Sequence, residues 1–205
     1  MNKTRIITIG RRFGSGGREI GRCVAQKLGI GFYDKEIITE AAKKSGLCDK
    51  FVESIDERPT GSLLYSLVMN AQNGGFAAGK PIELIAYEAQ IDAVRDAAAN
   101  GPCVIVGRAA DYILKDNYDI MSVFITAPLP YRTRVIMDRY SLSEKEALAK
   151  VNRLDKARAS YYNYHTESKW GSADSFNICL NSEPISKETA ADLIIAYANG
   201  VICGE

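Results

Sequence analysis

The sequence contains few side chains that could hold a transition metal through nitrogen or sulfur. It has one histidine, His165, and five cysteines that are scattered along the chain without a C-x-x-C pair. Zinc sites need several cysteine and histidine ligands at short spacing, so a zinc-binding module is excluded. Cysteines in this arrangement are most often small buried side chains of a protein from a reducing compartment.

Long apolar runs and an excess of charge of one sign are also missing. No segment approaches the ~18 consecutive apolar residues of a transmembrane helix, and the first apolar run, RIITIG, is too short for a secretory signal. The net charge is only +1, whereas general nucleic-acid binders carry a strong basic excess. We therefore expect a cytoplasmic protein that binds neither nucleic acid nor membranes.

Short apolar segments alternate with helical patterns through most of the sequence, and 205 residues suffice for the core of one domain. Five segments have the β-branched, apolar character of buried strands. They are RIITI (5–9), IGFYD (30–34), PCVIVG (102–107), YDIMSVFITA (118–127) and FNICLNS (176–182). This alternation is typical of a doubly wound parallel α/β sheet, in which ligands bind beyond the carboxyl ends of the strands.

The segment GRRFGSGGREIG (10–21) follows the first predicted strand and leads into a predicted helix. It has four glycines between residues 10 and 17, more than a tight turn requires. Glycines let successive amide groups point into one concavity, and the helix N-terminus adds partial positive charge. The segment therefore favours a phosphate-binding loop.

Neither common nucleotide-binding motif is satisfied by this loop. A dinucleotide motif, G-x-G-x-x-G, would agree with an acid such as Asp34 after the second strand, but Glu19 occupies the place of the third glycine. In the mononucleotide motif G-x-x-x-x-G-K-[ST], Gly16 can serve as the second glycine, which leaves Gly17 in the place of the lysine. Shifting the motif by one residue puts Arg18 at the lysine position and Glu19 at the hydroxyl position.

Arginines near the predicted carboxyl edge of the sheet favour phosphoryl transfer over nicotinamide chemistry. Phosphoryl transfer spreads negative charge over the transferred oxygens, and the protein has to neutralise it. The planar guanidinium group binds phosphate oxygens in pairs. The arginines in question are Arg11, Arg12, Arg18, Arg108, Arg132, Arg134, Arg153 and Arg158.

The order of these motifs resembles the nucleoside monophosphate kinases, and most of all the cytidylate kinase-like family of P-loop proteins. The most specific segments are GRRFGSGGREIG, FYDK, VIVGRAADYIL and DKARASYYNYHTESKWG. The resemblance implies a P-loop NTPase-type three-layer α/β/α fold with a five-stranded parallel sheet. It also implies one domain over 1–205, with a helical acceptor-binding insertion at about 36–100 and a helical lid at about 130–172.

The resemblance also implies roles for individual residues. An aspartate of the acceptor site follows the second strand in this family, as Asp34 does here, and a G-R-D motif follows the third strand. Gly107 and Arg108 match that motif, Ala109 replaces its acid, and Asp111 lies one helical step further on. The implied ATP contacts are Arg12, Phe13, Gly14, Ser15, Gly16, Gly17, Arg18 and Glu19. The implied acceptor contacts are Asp34, Arg108 and Asp111, and the implied catalytic residues are Arg18, Arg153, Asp155 and Arg158.

The chain departs from the family pattern where the loop lysine and the magnesium-binding hydroxyl are expected. We expect Arg18 to replace the lysine, and Glu19 and Asp34 to hold Mg²⁺. The expected function is ATP-dependent phosphoryl transfer to a small acceptor, and the acceptor expected from the resemblance is a nucleoside monophosphate. Two alternatives stay open: a non-catalytic nucleotide-binding module that has lost the lysine, and, more remotely, a nicotinamide-dependent oxidoreductase.

The aromatic segment YYNYH (161–165), together with Trp170, has two interpretations. It could stack on a nucleotide base, or it could pack the lid helix onto the core. Aromatic clusters on helices are more often part of a core, so we favour packing.

Overall fold

The computed structural model describes residues 6–34 and 82–200. Its strands are β1 (Ile6–Arg11), β2 (Gly31–Tyr33), β3 (Cys103–Val106), β4 (Ile120–Thr126) and β5 (Ile178–Asn181). Its helices are α1 (Gly17–Leu28), α2 (Ile82–Ala99), α3 (Ala110–Leu114), α4 (Leu129–Tyr140), α5 (Glu144–His165) and α6 (Lys187–Ala198), and a 3₁₀ turn spans Ala173–Ser175. Most of the predicted insertion at about 36–100 lies outside the described residues.

The five strands form one parallel sheet in the order β2-β3-β1-β4-β5. The central strand β1 pairs with β3 on one side and with β4 on the other. This confirms the predicted five-stranded parallel α/β fold. The order differs from the dinucleotide-binding fold, in which the first strand lies beside the second.

Alternate side chains of the strands enter two separate apolar cores, one on each face of the sheet. Ile7 and Ile9 of β1 pack with α1 and α6, whereas Ile6 packs with α2 and α3 on the opposite face. The second half of α2 carries Val94, which is fully buried in that second core. The carboxyl-terminal part of the predicted insertion therefore forms one layer of the central domain.

Helix boundaries follow the capping signals in the sequence. Gly29 ends α1 in a left-handed conformation with φ 64°. Ser143 and Glu146 form a capping box at the start of α5, and Ser186 caps α6 by accepting a hydrogen bond from the Thr189 amide. The sequence patterns S-x-x-E at 143–146 and glycine at 29 are thus the local signals for these helix ends.

The first strand continues two residues beyond the apolar run that predicted it. Gly10 and Arg11 pair with Phe124 and Ile125 of β4, because β4 extends to Thr126 and offers hydrogen-bonding partners. Arg11 is therefore the last residue of a strand, and the loop proper is Arg12–Gly16.

The two helices of the predicted lid, α4 and α5, pack on each other through a small apolar cluster. Ile136 of α4 meets Ala147 and Val151 of α5, and Phe13 of the glycine loop lies against the same cluster. No helix among the described residues is long and apolar enough to cross a membrane.

Truncation of Ile194 tests how the core of α6 supports the sheet. Ile194 is fully buried between α6, α1 and the strands, so Ile194→Ala is expected to lower the free energy of unfolding by about 2–5 kcal/mol. Its neighbour Leu193 is 39% exposed, and Leu193→Ala is expected to cost about 1 kcal/mol or less. Urea unfolding followed by circular dichroism measures both, and equal losses would contradict the assigned face of α6.

Candidate functional site

The glycine loop connects β1 to α1 at the carboxyl edge of the sheet. Gly14 and Gly16 have φ angles of 81° and 74°, a left-handed conformation that favours glycine. A Cβ atom on Gly14 would also lie 2.9 Å from the carbonyl oxygen of Arg132 in α4. Both glycines are therefore needed for the path of the loop.

Ser15 anchors the loop to the sheet and does not point out of it. Its buried hydroxyl donates to the carbonyls of Arg12 (2.8 Å) and Ile125 (3.2 Å). The hydroxyl of Ser182, which follows β5, donates to the carbonyl of Ser15 at 2.7 Å. A contact of Ser15 with a ligand would have to come from its backbone.

Part of the loop backbone is already hydrogen-bonded and part of it is not. The amide of Phe13 donates to the carboxylate of Asp155 at 2.7 Å, and that of Ser15 donates to the Arg12 carbonyl at 3.3 Å. The amides of Gly14, Gly16 and Gly17 donate to no other residue in the described part of the chain. Three glycine amides thus have no acceptor among the described residues; Gly14 and Gly16 are partly exposed, whereas Gly17 is buried.

Asp155 of α5 joins the loop to both lid helices. Its carboxylate accepts from Arg132 at 2.8 Å and from Arg12 at 3.4 Å, in addition to the Phe13 amide. Arg132 is only 4% exposed and also donates to the carbonyls of Phe13 and Ala127. Asp155, predicted to be catalytic, therefore holds the arginines and the loop in place.

The residues predicted to replace the lysine and to hold Mg²⁺ are bound in two separate ion pairs. Arg18 donates to Asp34 at 2.5 Å, and Arg139 donates to Glu19 at 2.6 Å. Asp34 also lies 3.6 Å from a guanidinium nitrogen of Arg11. No group of three or more metal-binding side chains occurs within residues 6–34 and 82–200.

Arg108 follows β3 in a strained stretch of backbone. Gly107, Arg108 and Ala109 have φ angles of 80°, 60° and 50°, so three consecutive residues are left-handed and two of them carry a Cβ atom. Such strain costs on the order of 1 kcal/mol per residue and is concentrated at functional sites. Burial, partly offset by Tyr161, lowers the pKa of Arg108 to about 10.

Arg158 of α5, in the predicted lid, contacts Arg11 and Phe13 at the start of the glycine loop. It donates to the Arg11 carbonyl at 3.2 Å, and its guanidinium carbon lies 5.3 Å from the centre of the Phe13 ring. Burial, reinforced by the positive charge of Arg11, lowers the pKa of Arg158 to about 9. Both this arginine and Arg108 are still charged at neutral pH.

Positive charge exceeds negative charge around the loop. Among the described residues, the contacts given above bring together six guanidinium groups and two carboxylates. They are Arg11, Arg12, Arg18, Arg108, Arg132 and Arg158, with Asp34 and Asp155. The separate Glu19–Arg139 pair is not counted. Buried charges require opposite partners, so this arrangement is suited to bind a multivalent anion.

Two predicted site residues are not part of this charge network as described. The Asp111 carboxylate accepts from the hydroxyl of Tyr162 at 2.6 Å, and burial raises the pKa of Asp111. Arg153 is exposed on α5. The roles predicted for Asp111 and Arg153 stay predictions.

The aromatic segment of α5 packs against α2 and the sheet. His165 stacks on Tyr87 of α2 with ring centres 3.8 Å apart, and the Tyr161 hydroxyl accepts from Gln90. Beyond α5, Trp170 packs edge-on against Phe124 of β4, and the Arg12 guanidinium lies 5.4 Å from the Trp170 ring centre. These contacts are those expected of packing.

Sequence reasoning counted Arg11 and Arg132 among the arginines near the sheet edge but gave neither of them a role in the site. Both were visible as arginines near the loop, but residue type does not show that Arg132 is buried on Asp155. The signal for Arg11 was its position two residues after Ile9, the end of the apolar run, because residues i and i+2 of a strand lie on the same face of the sheet.

The sequence profile of the cytidylate kinase-like family matches residues 6–184. The search of curated proteins found no match. An uncharacterized protein from Eubacterium ventriosum ATCC 27560 is 31% identical over 95% of this chain and 98% of its own, with a TM-score of 0.70.

Two further solved structures share the fold at low sequence identity. Shikimate kinase from Acinetobacter baumannii, solved in complex with shikimate, is 14% identical over 97% of this chain and 94% of its own, with a TM-score of 0.53. TT1252 from Thermus thermophilus is 15% identical over 99% of this chain and 100% of its own, with a TM-score of 0.56. These similarities place the sheet and its helices in the P-loop kinase fold.

Substitution of Asp155 tests its role as the link between loop and lid. Asp155→Asn leaves the buried Arg132 without its counter-charge, so we expect a loss of about 3–5 kcal/mol in the free energy of unfolding. Asp192 pairs with Lys27 at the surface and is 62% exposed, so Asp192→Asn is the matched control, with an expected cost of about 1 kcal/mol or less. A loss for Asp155→Asn as small as the control's would show that Arg132 does not depend on this carboxylate.

The packing of His165 predicts a dependence of stability on pH. Burial lowers the pKa of His165, so its folded pKa lies below the unfolded value of about 6.5. The stability that it contributes is therefore complete above that pH and is lost as the pH falls through the folded pKa. Melting temperatures between pH 8 and pH 5 should fall more steeply for the wild type than for His165→Gln, and parallel curves would contradict a buried neutral imidazole.

Proposed function

The chain belongs to the cytidylate kinase-like family, and on this premise we propose that it transfers the γ-phosphoryl group of MgATP to a small phosphorylated acceptor, a nucleoside monophosphate. The observation that carries the proposal is the convergence of Arg11, Arg108 and Arg158 on Asp34 and the glycine loop. A cluster of buried guanidinium groups matches the charge of a triphosphate and an acceptor phosphate better than it matches a neutral ligand.

The donor phosphates would lie on the glycine loop. The amides of Gly14, Gly16 and Gly17 have no acceptor there among the described residues, and the positive end of α1 faces the same side. Arg12, the first residue of the loop, places its guanidinium group over the ring of Trp170. These groups hold the β- and γ-phosphate oxygens and keep the transferred phosphorus in one position.

The acceptor phosphate would lie between Arg108 and the ion pair of Asp34 with Arg18. Its oxygen attacks the γ-phosphorus while the bond to the β-phosphate oxygen breaks, and the products are ADP and the phosphorylated acceptor. A phosphate acceptor is already ionised at neutral pH, so the reaction requires no general base. Arg158 of α5 neutralises the equatorial oxygens and excludes water when the lid is in place.

P-loop kinases generally use ATP with Mg²⁺, but the described residues do not fit a protein-held magnesium ion. The predicted ligands, Glu19 and Asp34, are both engaged by arginines. In this proposal Mg²⁺ enters as part of the substrate MgATP, with no ligand from residues 6–34 or 82–200.

One observation favours the second candidate, a nucleotide-binding module without turnover. Asp155 occupies the Phe13 amide and the guanidinium groups of Arg12 and Arg132, so a carboxylate already neutralises one side of the loop. The nicotinamide alternative receives no such support, because β1 lies between β3 and β4 and not beside β2.

Kinetics with two arginine variants test the proposal. The assay is ADP release, coupled to NADH oxidation, over a panel of nucleoside monophosphates. We expect Arg108→Ala to raise the acceptor KM at least about tenfold, because a charged phosphate contact is lost, and Arg158→Ala to lower kcat by roughly 10²–10³. Arg22, exposed on α1, provides the control variant Arg22→Ala with unchanged kinetics.

The two candidate functions give different results with the wild-type protein. Thermal stabilisation by ATP together with ADP release supports the kinase. Stabilisation by ATP without ADP release for any acceptor supports the binding module and contradicts the kinase. If Arg108→Ala and Arg158→Ala both turn over like Arg22→Ala, the site lies elsewhere.

A further inference from the structure

The loop departs from the mononucleotide motif at three positions: the first glycine, the lysine, and the hydroxyl residue, whose place is taken by Arg18. With Gly16 as the second glycine of G-x-x-x-x-G-K-[ST], Gly17 stands in the place of the lysine. Counting back five residues from Gly16 puts Arg11 in the place of the first glycine. At positions 11 and 17 the motif has glycine and lysine, respectively, whereas this chain has arginine and glycine.

The structure shows that these two positions compete for the same space. A Cβ atom built on Gly17 would lie 2.7 Å from the Cβ of Arg11 and 3.2 Å from the Cβ of Ile125. Carbon atoms in contact are normally separated by about 3.5–4.0 Å. The two positions cannot therefore both carry a Cβ atom without a shift of the backbone.

The side chain of Arg11 passes Gly17 and ends at the carboxyl edge of β3. A Cβ atom on Gly107 would lie 1.9 Å from a terminal nitrogen of Arg11, so a side chain there would displace the guanidinium group from its present position. The other terminal nitrogen lies 3.6 Å from the Asp34 carboxylate. The guanidinium group is thus set between the glycine loop, Gly107 and Asp34, and the Arg11 side chain is only 20% exposed.

We propose that Arg11 supplies the cation that the missing loop lysine would supply, through a reciprocal exchange of side chains between positions 11 and 17. The inference rests on the proposed phosphoryl transfer and names the residue that contacts the transferred phosphate. It reassigns a role predicted for Arg18, whose side chain is about half exposed and is bonded to Asp34.

The exchange changes how the charge is delivered. A lysine on the first turn of α1 is a flexible point charge, whereas Arg11 extends from a paired strand and presents a planar fork. Burial lowers the pKa of Arg11, partly offset by Asp34. A bound phosphate supplies the opposite charge that this buried group requires.

Four variants of the full chain test the exchange: Arg11→Gln, Arg11→Gly, Gly17→Lys and the double variant Arg11→Gly with Gly17→Lys. The probes are inorganic tripolyphosphate and ATP, with dissociation constants measured by calorimetry and melting temperatures measured by circular dichroism. We expect Arg11→Gln and Arg11→Gly to bind tripolyphosphate roughly 10- to 100-fold more weakly, because a charged hydrogen bond is lost. Gly17→Lys alone should fold poorly, because its Cβ overlaps Arg11.

The double variant carries the decisive result. It places glycine at 11 and lysine at 17, as the motif does, and leaves Arg18 unchanged, so it should regain both the melting temperature lost by Gly17→Lys and most of the tripolyphosphate binding lost by Arg11→Gly. Arg22→Gly, which removes an exposed arginine from α1, controls for the loss of positive charge and should bind tripolyphosphate like the wild type.

The outcomes separate this inference from the proposed function. Unchanged tripolyphosphate binding in Arg11→Gln overturns the inference, as does a double variant no more stable than Gly17→Lys. Binding that depends on Arg11, without ADP release for any acceptor, contradicts the kinase and leaves the exchange standing. A wild type that binds neither tripolyphosphate nor ATP overturns both.

Discussion

The structure depends on gathering arginine charge at one edge of the sheet, where the guanidinium groups are removed from water to different degrees. Guanidinium groups repel one another, and their removal from water costs free energy that a carboxylate or an anion has to offset. The described residues meet this requirement with two shared carboxylates. Asp155 serves Arg12 and Arg132, and Asp34 serves Arg11 and Arg18. The positive charge that remains is what the proposed binding of phosphate depends on.

The same constraint accounts for the glycines. Glycine in phosphate-binding loops is usually explained by backbone conformation, and Gly14 and Gly16 follow that explanation with their left-handed φ angles. Gly17 and Gly107 also provide room, because the Arg11 side chain passes where their Cβ atoms would be. Gly17 stands where the motif has a lysine, and its lack of a side chain leaves room for the Cβ and Cγ atoms of Arg11.

The lid is tied to the loop through side chains and not only through apolar packing. Asp155 bonds the Phe13 amide, and Arg158 bonds the Arg11 carbonyl. A movement of α5 away from the sheet would break both contacts and expose the guanidinium groups to water together. In the proposed kinase, closure of the predicted lid and assembly of the anion site would therefore be coupled, which is the behaviour that phosphoryl transfer needs in order to exclude water.

The sequence by itself determined the class of fold and most element boundaries, because buried strands and helix caps are written in short segments such as PCVIVG and the Ser143–Glu146 box. It also located the glycine loop and Arg108. Only the tertiary structure decided which arginine reaches which partner. Arg11 belongs to β1 because the neighbouring β4 extends to Thr126, and Asp155 acts on a loop that is 142 residues away in sequence. Such contacts depend on strand pairing and helix docking over long separations, and no local pattern of residues encodes them.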